Sequence, residues 1–137
     1  MGTRSLTYVY NEKAVDAGAP LVCMYRQYDG YVSGHGAELA EFLMSGKLVN
    51  GLGATDSKVF NGMGCMAAQM IGHFKAGEAG GIYMQAPVVG LDAWQEYEYH
   101  VFSDEVVVYE GTIRHGEKIF SGTWEEFKDF CKEKSEA

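Results

Sequence analysis

A chain of 137 residues with 47% hydrophobic and 22% charged residues has the size and make-up of one globular domain, spanning 1–137, and excludes a disordered chain. Its formal net charge of −8 opposes nucleic-acid phosphates, so no nucleic-acid partner is expected. Apolar runs such as Val106 to Tyr109 are only a few residues long, so no membrane-spanning helix is expected.

The opening Met1 to Leu6 lacks the apolar stretch of a secretory signal, and Leu6 stands where a myristoylation motif needs Ser or Thr. Cys23, Cys65 and Cys131 are an odd number, far apart and without a CxxC pair, which predicts reduced and mostly buried thiols. No Asn-x-Ser/Thr sequon occurs. These features point to a cytoplasmic protein. The acidic residues near the C-terminus, Glu125, Glu126, Asp129, Glu133 and Glu136, read as a solubilising surface rather than a mimic of DNA.

In chain order, Thr3 to Tyr10 and Leu21 to Tyr28 are rich in Thr, Tyr and Val and predict two strands of a hairpin around the loop Asn11 to Pro20. If Tyr10 pairs with Pro20, Arg4 falls opposite Arg26. Asp29-Gly30 then closes the strand, and Leu39, Phe42 and Leu43 set a helical period over Gly36 to Met44, stopped by Ser45-Gly46. Lys47 to Phe60, with Gly51, Gly53 and Asp56, reads as irregular. A second helix is expected from Gly62 to about Lys75 with Asn61 as N-cap, buried on more than one side because Met63, Met66, Met70 and Phe74 alternate with small residues.

Gly81 to Ala86 predicts a short strand, and Trp94 to Phe102 alternates cleanly. Tyr97, Tyr99 and Val101 should face the core, with Glu96, Glu98 and His100 in water. Ser103-Asp104 turns into Val106 to Glu110, and His115-Gly116 turns Thr112-Ile113 into Ile119-Phe120. Thr123-x-x-Glu126 is a capping box ahead of a helix that packs Trp124, Phe127, Phe130 and Cys131. The fold class is therefore α+β: an antiparallel sheet of about five or six strands packed against two or three helices, with Tyr97, Tyr99, Val107, Tyr109, Phe127 and Phe130 in one core.

The stretch from Arg26 to Glu38 is the densest in polar, titratable and glycine residues, which makes it the candidate binding loop. Gly34 and Gly36 flank His35 and would leave its imidazole accessible, while the helix N-terminus favours the neutral ring. Asp29, Ser33 and Glu38 are near enough to orient it. Two arginines in apolar strands, Arg4 and Arg26, need a negative partner: Asp29 and Glu38, or a phosphate or carboxylate ligand held with the amides near Gly36.

Other motifs carry less. Gly62-x-Gly64-x-x-Ala67 fits the dinucleotide fingerprint only formally, since no proper preceding strand or closing acid accompanies it; close helix packing explains the small residues better. His35, His73, His100 and His115 are widely separated, so no metal is expected; His100 and His115 read as solvated. No cofactor is expected.

The opening Met1-Gly2-Thr3-Arg4-Ser5-Leu6-Thr7 and the run Asp29-Gly30-Tyr31-x-Ser33-Gly34-His35-Gly36 together resemble a group of small uncharacterised proteins of tailed bacteriophages, including those of marine cyanobacteria. The likeness continues through Phe60 to Cys65 and Tyr97 to His100, although the group usually has proline where this chain has Val32. It implies a viral or metagenomic origin, a host-cell cytoplasmic address and no particular activity. The leading expectation is a phage-like accessory protein, not an enzyme, that binds a small anionic ligand or a host protein through the Arg26–Gly36 loop. A small hydrolase or transferase with His35 as base is the alternative, and a structural or homo-oligomer-forming virion component is a third.

Overall fold

The computed structural model describes residues 2–49 and 59–136; Gly51, Gly53 and Asp56 lie outside these. Strands β1 (Ser5–Val9) and β2 (Val22–Arg26) form the expected antiparallel hairpin. A turn of π-helix (Val32–Gly36) leads into α1 (Ala37–Met44). The segment read as irregular is bounded by two short strands, β3 (Lys47–Val49) and β4 (Val59–Asn61), paired in parallel. After α2 (Gly62–Lys75) come β5 (Ile82–Gln85), β6 (Tyr97–Val101), β7 (Val106–Glu110), β8 (Glu117–Gly122) and α3 (Trp124–Glu136).

The six-stranded sheet has the order β5-β2-β1-β6-β7-β8. Every neighbouring pair is antiparallel except β1 and β6 at its centre, which run parallel with Ser5 beside Tyr97 and Val9 beside Val101. The α+β class with a largely antiparallel sheet is therefore the fold. Thr112 and Ile113 belong to the turn between β7 and β8, not to a strand.

Both faces of the sheet are buried. On the first, Val9, Met24, Tyr99, Val101, Val106 and Val108 meet Leu39 and Leu43 of α1, Met66 and Met70 of α2, and Phe127 and Cys131 of α3. Full burial of a side chain such as Phe127 contributes about 1.5–3 kcal/mol. On the second, Leu6, Tyr8, Tyr10, Cys23 and Phe102 are covered by Val89, Leu91 and Ala93 from the stretch before β6. Val107 packs here rather than with Phe127, because successive strand residues point to opposite faces.

This second layer corrects the reading of β6. Glu98 and His100 are buried along with Tyr99 and Val101, so the polar half of the alternation faces a packed layer instead of water. A period of two identifies the faces of a strand but not what lies over each of them.

Helix α3 starts as its sequence dictates. The Thr123 N–H donates to Oε1 of Glu126 at 2.8 Å and the Glu126 N–H donates to Oγ1 of Thr123 at 3.1 Å, completing the capping box. Helix α2 departs from expectation: Met63, Met66, Ala67 and Met70 are buried, but Gly64, Ala68 and Gly72 are exposed. A side chain at Gly64 or Gly72 would meet open space, so close packing does not explain these glycines. Asn61 precedes α2 without a side-chain cap hydrogen bond.

Candidate functional site

The β1–β2 register decides the fate of the arginines. Ser5, not Arg4, pairs with Arg26, one residue away from the register that would set the two arginines opposite each other. A one-residue slip reverses the face of every side chain, so Arg4 and Arg26 belong to opposite faces. Arg4 lies just before β1, half-buried, and its carbonyl accepts the N–H of Glu96 at 2.9 Å.

Arg26 is buried under the helices and already partnered. Its NH1 is 3.1 Å from Oε2 of Glu38 and 3.2 Å from Nδ1 of His35, and its guanidinium stacks over Tyr28 and Phe74. Of the two internal partners expected from sequence, Glu38 takes the role. Asp29 does not: its side chain accepts a 3.4 Å hydrogen bond from Tyr31, and its carbonyl accepts the His35 N–H at 2.6 Å.

His35 is completely buried, contrary to the accessible imidazole expected between two glycines. The glycines serve packing. A Cβ at Gly34 would lie 2.5 Å from the Asp29 carbonyl, and one at Gly36 would press on the Tyr99 ring at 3.2–3.3 Å. Arginine can only donate, so Nδ1 of His35 accepts from it and Nε2 carries the proton, donating to Oγ1 of Thr7 at 2.8 Å. Burial, reinforced by the Arg26 charge, lowers the imidazole to about 3. Both ring nitrogens are thus engaged inside the protein, and neither faces a position where a substrate proton would be taken.

Ser33 is exposed and stands apart from His35. With Tyr31 it belongs instead to a groove at one end of the sheet. Its larger part, about 530 Å³, is walled by Thr3, Tyr31, Glu96, Tyr97, Glu110 and His115. A smaller part, about 200 Å³, shares Tyr31, Tyr97 and Glu110 and adds Ser33 and Lys134. Three local features build it. Glu110 faces Tyr97 directly across β6 and β7. Gly111, at φ +90°, turns the chain and donates to the Glu96 carbonyl at 2.6 Å. Tyr31 leads into the π-helical turn. Burial, with Glu110 and Glu96 nearby, raises the Tyr97 phenol above its ordinary value.

Two residues before Glu96, Trp94 is 77% exposed and held at φ +62°, a conformation that costs a bulky residue about 1–2 kcal/mol. The side chain of Asp92 accepts the Trp94 N–H at 3.0 Å, and that of Gln95 accepts the Ala93 N–H at 2.8 Å. Gln95 in turn donates to the Leu91 carbonyl at 2.9 Å and to Oε2 of Glu98 at 2.7 Å. Oε1 of Glu98 is 2.9 Å from Nε2 of His100, whose Nδ1 is 2.7 Å from the Tyr10 hydroxyl. This buried chain anchors the loop that carries Trp94 to the second face of the sheet.

The candidates read from sequence therefore fall into two places. Arg26, His35 and Gly36 are internal, with the exposed Glu38 paired to Arg26 at their edge. Asp29 and Ser33 belong to the exposed loop, with Arg4 near Glu96. Sequence reasoning missed Trp94, Glu96, Tyr97 and Glu110; the available signal was acidic and aromatic residues at adjoining ends of two predicted strands.

Among the described residues no three His, Cys, Asp or Glu side chains come together as a metal site, and no helix is long and apolar enough to cross a membrane. Cys23, Cys65 and Cys131 are free thiols, Cys23 and Cys131 buried and Cys65 partly exposed. Comparison with protein-family models, curated proteins and solved structures finds no match to this chain.

Proposed function

We propose that this chain is a non-catalytic binding protein that engages a protein partner through the end of its sheet formed by Tyr31, Ser33, Trp94 and the β7–β8 turn. The observation that carries this reading is Trp94, a large aromatic side chain kept in water at an unfavourable backbone angle by two dedicated side-chain hydrogen bonds. An exposed tryptophan followed in the chain by the groove-lining Gln95, Glu96 and Tyr97 has the make-up of a binding hot spot. If the chain is phage-encoded, as its resemblance implies, a host protein is the natural partner. A small anion is less well supported, because Arg26 already carries Glu38 and His35.

A photo-crosslinking residue at position 94, compared with one at Val15, tests this. Val15 is 85% exposed in the β1–β2 connection at the other end of the sheet. Position 94 should give a discrete adduct in host extract that Tyr31→Ala removes, and position 15 should not. Equal adducts from both positions would count against the reading.

A further inference from the structure

Resting on that reading, we infer that the groove lined by Tyr31, Glu96, Tyr97 and Glu110 accepts a lysine or arginine side chain from a basic segment of the partner. The inference stands on the cavity and its chemistry together. Tyr31 and Tyr97 offer aromatic walls, and Glu96 and Glu110 offer carboxylates around the same space. Glu110 is exposed and directly across the sheet from Tyr97. A cation set against an aromatic face is attracted by the ring quadrupole, and a carboxylate alongside adds a charge-assisted hydrogen bond. An anionic group would meet both glutamates, while an uncharged apolar group would desolvate them without compensation.

Besides Arg4, whose carbonyl accepts the Glu96 N–H, two other ionisable side chains border the groove. Lys134 borders only the smaller part and rests its ammonium over the Phe130 ring at 5.7 Å. His115 lines the larger part from the exposed turn. Neither has an ion pair with Glu96 or Glu110 among the described residues. The protein's net charge of −8 also speeds encounter with a basic segment.

The test is a titration followed by backbone amide NMR shifts of the ¹⁵N-labelled protein. The probes are acetyl-glycyl-lysyl-glycine amide, the same peptide with its lysine Nε-acetylated, choline, and inorganic phosphate. The lysyl peptide should shift Gly111 and Gly116, with an affinity of about millimolar for so small a probe. The acetylated peptide should not. Glu110→Gln and Glu96→Gln, both at exposed positions, should each weaken the lysyl peptide about fivefold, and added salt should do the same. Choline binding in place of the peptide would move the assignment to a small amine and overturn the partner segment.

Equal shifts from the acetylated peptide, or none from the lysyl peptide while phosphate moves Gly111 and Gly116, would overturn the cation assignment and leave the groove as a binding site. If no probe moves these amides and position 94 gives no specific crosslink, both this inference and the function it rests on fall.

Discussion

Arg26 and His35 form a cation–imidazole contact of 3.2 Å in which the imidazole is the acceptor. The pair joins β2 to the π-helical turn and lies beneath Phe74 of α2, whose ring centroid is 4.9 Å from that of His35. It is a structural joint between sheet and helices. Its neutrality has thermodynamic consequences.

Stability should fall in acid through His35. Above its ordinary value of 6.5 the ring is neutral in both folded and unfolded chains; below it the unfolded chain binds a proton that the folded one refuses down to about 3. The unfolded state then holds more protons, so unfolding free energy falls with falling pH, by up to about 1.4 kcal/mol per unit for this one group. Urea denaturation from pH 7 to pH 4 should show a shallower slope in His35→Gln than in the wild type. Identical slopes would mean that His35 titrates normally in the folded protein.

Removing Arg26 should destabilise the joint. Arg26→Ala leaves Nδ1 of His35 buried without its donor, at a cost of about 1–3 kcal/mol. Glu38 is exposed and can be rehydrated, so Glu38→Gln should cost less than 1 kcal/mol. Equal losses would show that the ion pair, rather than the imidazole contact, is the main contribution.

Phe127 is completely buried between α3 and the sheet, with Tyr99 and Phe120 rings 6.3 and 5.9 Å away. Phe127→Ala should cost about 3–5 kcal/mol in chemical denaturation. A loss below about 1 kcal/mol would make α3 peripheral to the core.

The two faces of β6 can be told apart by mutation. Glu98→Ala removes the acceptor for both Gln95 and His100 in a sealed layer and should cost about 3–5 kcal/mol. Glu96→Ala, two residues earlier and exposed, should change stability by no more than about 0.5 kcal/mol. Similar values for both would contradict the second buried layer.

The thiols should react in a fixed order. Gln69 donates to Sγ of Cys65 at 3.3 Å, and this, with an Asn61 backbone hydrogen bond, lowers the Cys65 thiol below its usual value. Burial pushes Cys23 and Cys131 up to about 12. Iodoacetamide on the native protein should label Cys65 first, with the other two following only on unfolding, as read by peptide mass spectrometry. Early labelling of Cys131 would imply that α3 opens readily.

Local patterns made much of the fold legible. The Thr123–Glu126 box marked the start of α3, Leu39, Phe42 and Leu43 marked the buried face of α1, and the alternation at Tyr97 to Val101 marked β6. What failed was long-range. Turn residues between Arg4 and Arg26 do not mark the register, yet a shift of one residue decides whether the two arginines share a face. Likewise, no periodicity in β6 announces that residues 86–96 fold over Glu98 and His100. The candidate loop was legible as a place, through Tyr31 and Ser33, but its partners Glu96, Tyr97 and Glu110 are over sixty residues away and meet it only through the parallel β1–β6 pairing.

That central pairing also sets the order of assembly during synthesis. β1 can join β2 soon after both emerge, but its other edge stays open until β6 is made, about 70 residues of chain after β2. At about 5–20 residues per second this is several seconds on the ribosome. Throughout that interval Leu6, Tyr8 and Cys23 lack the β6 neighbour and the loop that later cover them. A nascent hairpin with an open edge and an uncovered apolar face is a substrate for chaperones and for aggregation. The yield of folded protein should therefore depend on translation rate up to residue 101 more than on the stability of the finished fold.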